Sequence, residues 1–169
     1  TGPNGGHCSA CSEGHFKESN GSAACTACQP GKYCTELGAR FETLCLSCPE
    51  KTTSGAGSTR VHDCACNAGH AGQLGGPCTA CPAGFHKSRV GVENCIECLA
   101  GTYSNSNTST FNYNQQGVEA VCVREVFEGA ASCSACPAHS FSLNRSFRLR
   151  DCVCNAGFSG SDGAQCIAC

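Results

Sequence analysis

The arrangement of twenty cysteines among 169 residues constrains this chain more than any other feature. That density lies above the level that marks a disulfide scaffold. Leu, Ile, Val and Phe together number only 25, too few to build one large apolar core. The formal net charge is −2, so the high-charge half of the disorder signature is missing. Covalent cross-links are what remains to hold a fold, at ~2–4 kcal/mol each. Such bonds persist in oxidising compartments, which places the chain outside the cell or on its surface.

The cysteines repeat. Cys8, Cys11, Cys25 and Cys28 recur as Cys78, Cys81, Cys95 and Cys98, each shifted by 70 residues. Cys34, Cys45, Cys48, Cys64 and Cys66 recur as Cys122, Cys133, Cys136, Cys152 and Cys154, each shifted by 88. One nine-cysteine unit therefore occurs twice, the second copy carrying about 18 extra residues. The residues around Cys64 and Cys152 confirm the alignment: Asp63-Cys64-Ala65-Cys66-Asn67-Ala68-Gly69 matches Asp151-Cys152-Val153-Cys154-Asn155-Ala156-Gly157. The organisation expected is a tail of a preceding unit at 1–7, unit one at 8–77, unit two at 78–165 and the opening of a third at 166–169. Both ends then read as cuts through a longer array, and the absence of Met and of a signal peptide reads as processing or excision from a larger protein. The insertion, about 104–121, is rich in Ser, Asn, Thr and Gln and reads as an exposed loop that carries sugar, contacts a neighbour or only spaces.

Charge and sequons narrow the partners. The eleven Lys and Arg form no basic stripe, which argues against nucleic acid. No apolar run reaches membrane-spanning length. Asn20, Asn107 and Asn144 each open an Asn-x-Ser/Thr sequon, so N-linked glycans are expected there, with O-linked sugar possible in the insertion.

Loop logic narrows the pairing. Two cysteines separated by two residues are poor partners, because bonded Cα atoms lie ~4.4–6.8 Å apart with suitable Cβ directions. Each Cys-x-x-Cys more plausibly closes one loop and opens the next, which pairs Cys11 with Cys25, Cys81 with Cys95, Cys48 with Cys64 and Cys136 with Cys152. Nine cysteines per unit is odd. In the trio Cys28, Cys34 and Cys45, and its copy Cys98, Cys122 and Cys133, one thiol is left over. The spacing from Cys34 to Cys45 recurs from Cys122 to Cys133, which favours closing that loop; the alternative closes Cys28–Cys45 and Cys98–Cys133. A surplus thiol suggests an intermolecular bond or a free cysteine. Cys8 and Cys169 have no local partner.

Small turn residues recur in each loop, among them Gly14, Gly31, Gly84 and Gly157 with Pro30, Pro49, Pro82 and Pro137. The fold class predicted is a small disulfide-rich one: an elongated tandem array of short β-hairpin modules with little helix and no large hydrophobic core. Phe16, Tyr33, Phe85, Tyr103 and Phe141 follow a cysteine by four or five residues and are expected to cover their own disulfides.

The runs Cys78-Thr79-Ala80-Cys81-Pro82-Ala83-Gly84-Phe85 and Cys95-Ile96-Glu97-Cys98-Leu99-Ala100-Gly101-Thr102-Tyr103-Ser104 resemble the ephrin-receptor-like cysteine-rich repeat, akin to tumour-necrosis-factor-receptor and EGF-like modules. Cys66-Asn67-Ala68-Gly69 up to Cys78 is similar to the last loop of an EGF-like module, and that resemblance implies Cys66–Cys78 and Cys154–Cys166. Gly-rich arrays with Cys-x-Cys-Asn-Ala-Gly are similar to those of protist and algal surface proteins, flagellar hairs (mastigonemes) included. The resemblance implies an extracellular structural or binding role.

Rival chemistries are weaker. Seven Cys-x-x-Cys motifs could in principle supply zinc, but the odd count and the Cys-x-Cys pairs fit no metal-ligand spacing. Asp63 and Asp151 read as turn caps rather than calcium ligands. No nucleophile–base pair or carboxylate pair recurs, so no catalysis, metal or cofactor is expected. The function expected is a structural extracellular glycoprotein segment, a subunit of a surface or flagellar filament or coat, self-associating or binding other extracellular proteins. The alternative is a receptor or adhesion ectodomain that binds a protein or glycan. Cys8 is expected to bond to a cysteine outside residues 1–169; non-reducing peptide mapping checks this, and a bond from Cys8 to any cysteine within the chain would refute it.

Overall fold

A computed structural model describes residues 7–105 and 128–169. Among them, eight two-stranded antiparallel hairpins follow one another, each a sheet of its own. In chain order they join His15–Phe16 to Thr26–Ala27, Lys32–Tyr33 to Leu46–Ser47, Thr52–Thr53 to Ala65–Cys66, and His70–Gly72 to Cys78–Ala80. Phe85–His86 then joins Ile96–Glu97, Thr102–Ser104 joins Cys133–Ala135, Ser140–Phe141 joins Val153–Cys154, and Phe158–Ser159 joins Ile167–Ala168. The helical content among the described residues is three single turns of 3₁₀ helix, Glu42–Leu44, Val61–Asp63 and Leu149–Asp151. The protein is thus disulfide-rich, almost free of helix and built of tandem β-hairpin modules.

Every module opens on a cysteine and turns sharply three residues later. The third residue has a positive φ in all eight: Gly in six, Lys51 (φ 62°) and His139 (φ 62°) in the others. That backbone conformation carries the chain straight into the first strand. The carbonyl of the same residue then receives an N–H from the far end of the hairpin, as in Cys28 to Gly14 at 2.8 Å and Asn67 to Lys51 at 2.9 Å. Glycine is required at Gly14 for a second reason. A Cβ there would lie 2.1 Å from the Gly57 carbonyl oxygen, inside contact distance of a rigid backbone atom.

Two-residue strands cannot bury a hydrophobic face, and the buried apolar set is correspondingly sulfur. Apart from Ala39 and Ala130 it consists of cysteines, with Cys28, Cys34, Cys64, Cys81, Cys98 and Cys152 wholly enclosed. Leu and Val side chains such as Leu37, Val92 and Val153 lie at the surface.

The described residues fall into two compact units. One takes the chain up to Asn67 with Gly72–Cys78 and Val90–Val92; the other takes Ala68–Ala71, Thr79–Arg89 and the chain from Glu93. Within each, successive modules are tied by a recurring hydrogen bond in which a cysteine carbonyl accepts from a residue of the next module's loop; the acceptor is the opening cysteine except after Cys48 and Cys136, where the closing Cys64 and Cys152 accept from Gly75 and Gly163. In the first unit Gly38 donates to Cys11, Gly57 to Cys28 and Gly91 to Cys66, at 2.7, 2.9 and 3.0 Å. In the second, Gly129 donates to Cys81 and Arg145 to Cys98, at 2.7 and 2.9 Å.

Two substitutions separate these constraints. Gly14→Ala adds both left-handed strain of ~1–2 kcal/mol and a backbone clash, and is expected to lower stability by more than about 2 kcal/mol. Lys51→Gly relieves the same strain with no clash to lose and is expected to raise stability by up to about 1 kcal/mol, less the entropy glycine adds to the unfolded chain. Denaturation midpoints in guanidinium check both.

Candidate functional site

The chemistry this chain carries is in its sulfur, so the site is built outward from the cysteines. Eight disulfides join Cys11–Cys25, Cys28–Cys45, Cys48–Cys64, Cys66–Cys78, Cys81–Cys95, Cys98–Cys133, Cys136–Cys152 and Cys154–Cys166. One rule generates all eight. The cysteine that opens a module bonds to the one that starts, or just precedes, its return strand, with Cα atoms 5.6–5.8 Å apart. Cys8, Cys34 and Cys169 are free, Cys8 and Cys169 exposed and Cys34 buried. Cys122 and Asn107, with the insertion from 106 onward, lie outside the described residues.

The two trios take the arrangement in which Cys28 pairs with Cys45 and Cys98 with Cys133, rather than the Cys34–Cys45 closure that the conserved spacing favours. The reason is local. At Cys34 the chain has left its hairpin partner: its N–H donates to the Ser58 carbonyl at 3.0 Å, and Tyr33 bridges Ser58. The Cys34 thiol is instead buried in a small cluster with Cys28, Ala39 and Cys45, against Phe16 and Leu44. The backbone pattern also gives Cys34 a structural counterpart other than Cys122. Ser104 donates its N–H to Ser146 as Cys34 does to Ser58, both at 3.0 Å, and is equally enclosed. Ser54 and Ser142 occupy the same place in other modules, their hydroxyls donating to the Lys32 and Thr102 carbonyls at 2.9 Å. Cys34 therefore sits where this fold otherwise places a buried serine.

The aromatic residues are placed differently from expectation in one respect. Phe16 follows the Cys11 opening but packs against the cluster of Cys28, Cys34, Ala39 and Cys45 in the next module. A two-residue strand projects its second side chain past its own disulfide toward the neighbour. Phe85 lies beneath the Arg145 guanidinium, 5.3 Å from ring centroid to Cζ, and Arg145 also pairs with Glu97 at 2.7 Å.

In the second copy the residue corresponding to Phe16 is His86. Its Nδ1 lies 3.0 Å from Cys133 Sγ. The potential ligand atoms of His86, Cys98 and Cys133 lie within 4.8 Å of one another, the one such trio of His, Cys, Asp or Glu among the described residues. Both sulfurs are joined to each other, so as folded they are not thiolate ligands. Composition did not single out His86; comparing the two copies seventy residues apart, Phe16 against His86, is the signal that finds it.

Polar features fill the rest. Asp63 accepts from the N–H groups of Thr59 and Arg60 at 2.7 and 2.9 Å, and Asp151 accepts from those of Phe147 and Arg148 at 3.0 and 2.9 Å. Each carboxylate caps the 3₁₀ turn that leads into a Cys-x-Cys. A cleft of about 470 Å³ in the second unit is lined by Tyr103, Phe147, Arg148, Arg150 and Asp162 among others. Asn20 is exposed; Asn144 is exposed and its Oδ1 accepts from the Ala100 N–H at 2.7 Å.

A family model described as tyrosine-protein kinase ephrin type A/B receptor-like matches residues 69–113. That is less than a third of the chain and spans both of the runs that carry the resemblance in sequence. No curated protein matches the chain. The family match and the eight disulfides together identify a cysteine-rich repeat array and fit an extracellular location and a receptor-like or structural role. No helix among the described residues is long and apolar enough to cross a membrane.

The Asp63 cap predicts a pH dependence. Backbone N–H bonds from Arg60 and then Thr59 hold its carboxyl below the ordinary carboxylate value. Because the folded value is depressed, the stabilisation is complete above the unfolded value of about 3.9 and is lost as pH falls through the folded one. Asp63→Asn is expected to cost most at neutral pH, with the gap to the parent protein narrowing below about pH 4. Denaturant midpoints of both proteins between pH 7 and pH 2 measure that gap.

Proposed function

We propose that this chain is a non-catalytic segment of an extracellular structural glycoprotein, a subunit of a surface filament or coat, of which a flagellar hair is one setting. The observation that supports this most directly is the recurring bond from a loop residue to the carbonyl of the preceding module's opening cysteine. It couples modules through the backbone, with a glycine as donor in four of the five cases, and so suits a chain that repeats a scaffold rather than one that shapes a pocket. The disulfides add resistance to unfolding without the core that a small module cannot build. Asn20, Asn107 and Asn144 carry N-linked glycans in this reading, and partners are further copies or other extracellular proteins.

A second reading, a receptor or adhesion ectodomain, is favoured by the cleft at Tyr103, Arg148 and Asp162. Aromatic faces beside guanidinium groups suit an acidic sugar or a peptide carboxylate.

Secretion from a eukaryotic host and imaging by electron microscopy separates the two. Lateral or end-to-end polymers are expected; monodisperse monomers that bind a soluble glycan through Arg148 would establish the second reading instead. Peptide N-glycosidase is expected to increase mobility in three steps, each abolished by Asn→Gln at one of the three sequons.

A further inference from the structure

The two copies of the repeat shield the same disulfide differently. In the first, both Cys28 and Cys45 are buried, and Phe16 packs against the cluster they form with Cys34 and Ala39. In the second, Cys98 is enclosed but Cys133 is half-buried, and the side chain at the Phe16 position is His86. A disulfide sulfur carries no hydrogen, so a hydrogen bond across the 3.0 Å contact between His86 Nδ1 and Cys133 Sγ is one in which Nδ1–H donates to sulfur. Three of the other described histidine rings are used differently: His15 and His70 contact backbone carbonyls through Nδ1, and His139 stacks on Phe158 at 4.1 Å.

We propose that Cys98–Cys133 is a thiol-exchange site, open to small extracellular thiols and dithiols, in which His86 is the N–H donor that activates the bond. Cys133, the less buried residue of the pair, is the one attacked. An external thiolate forms a new bond to Cys133 Sγ, the Cys98–Cys133 bond breaks, and its electron pair leaves on Cys98 Sγ. The proton given up by the attacking thiol ends on Cys98. The external thiol is oxidised to a mixed disulfide with Cys133 and Cys98 is reduced to a thiol. With a dithiol, its second thiolate attacks the mixed disulfide, releasing Cys133 as a thiol and leaving the reagent as its own disulfide.

His86 stands at the attacked sulfur, which stays neutral through the exchange, and near the leaving sulfur, which takes the charge. Its N–H polarises the attacked sulfur at 3.0 Å, and the ring lies within 4.8 Å of the leaving Cys98 sulfur, where negative charge collects. A neighbouring imidazole stabilises a thiolate, and exchange is faster when the leaving thiolate is stabilised. The Phe16 ring at the equivalent place in the first copy offers neither. The consequence of exchange is also larger here, because this bond spans 35 residues, against 12–17 for the other seven, and holds the insertion between its ends.

Partial reduction tests this on the intact chain. The protein is exposed to limiting dithiothreitol, or to glutathione alone, then quenched with an alkylating agent and mapped by mass spectrometry. Cys98 and Cys133 are expected to be labelled before any other bonded pair, and glutathione to appear on Cys133. His86→Phe installs the residue that the first copy already accommodates. It is expected to slow opening of this bond about tenfold, the rate equivalent of one hydrogen bond, with the Cys28–Cys45 rate unchanged as internal control. His86→Gln, which keeps an N–H donor, is expected to fall between. Loss of another disulfide first, simultaneous loss of all eight, or an unaltered rate in His86→Phe would each overturn the proposal. The order of reduction in the parent protein decides the matter even where a variant does not fold.

Discussion

The interaction on which the rest of this structure depends is the disulfide between the cysteine that opens each hairpin and the one at the start of its return strand. Strands of two or three residues form too few ladder bonds to persist alone, and isolated hairpins are marginal even when longer. The cross-link removes most of the entropy that would otherwise separate them, about 3 kcal/mol for loops of this size. It also supplies the buried apolar surface. Sulfur fills the places that Leu and Val fill elsewhere, and those side chains are left at the surface.

Once the disulfide fixes both ends of a module, its opening turn has little freedom. The third residue after the opening cysteine adopts positive φ everywhere, and its carbonyl hooks the far end of the hairpin. In five of the modules the carbonyl of the opening cysteine is left to face the next module, where a loop N–H meets it. Cross-link, turn and inter-module bond are thus three consequences of one anchored residue. This explains why the scaffold tolerates Lys51 and His139 at positions that favour glycine: the strain of a left-handed side chain is smaller than what the disulfide contributes.

On this frame the two copies have diverged in chemistry without diverging in fold. Phe16 and His86 occupy one place, Cys34 and Ser104 another. The first copy encloses a free thiol and an apolar-shielded disulfide in one cluster. The second has a serine in place of the thiol and an imidazole against the bond. A backbone held by cross-links and main-chain hydrogen bonds is insensitive to such exchanges, so these positions are where function can vary.

The sequence alone determined the class of this protein. Cysteine density against scarce Leu, Ile, Val and Phe leaves cross-linking as the only means of holding a fold, and the shifts of 70 and 88 residues expose the repeat. The six loops that join consecutive Cys-x-x-Cys or Cys-x-Cys motifs can be read from spacing and resemblance because their ends are adjacent in sequence. The smaller period, eight modules rather than two units, was present as Cys-x-x-Gly followed by a strand. It was obscured where Lys51 and His139 replace glycine. What only the tertiary structure decided is the fate of the odd cysteine. Spacing sets Cys34 and Cys45 eleven residues apart, as it does Cys122 and Cys133, but pairing depends on where the backbone goes, and the N–H of Cys34 goes to Ser58 in the next module. The place of His86 was likewise undecidable from its neighbours in sequence, because the sulfur it touches is 47 residues away.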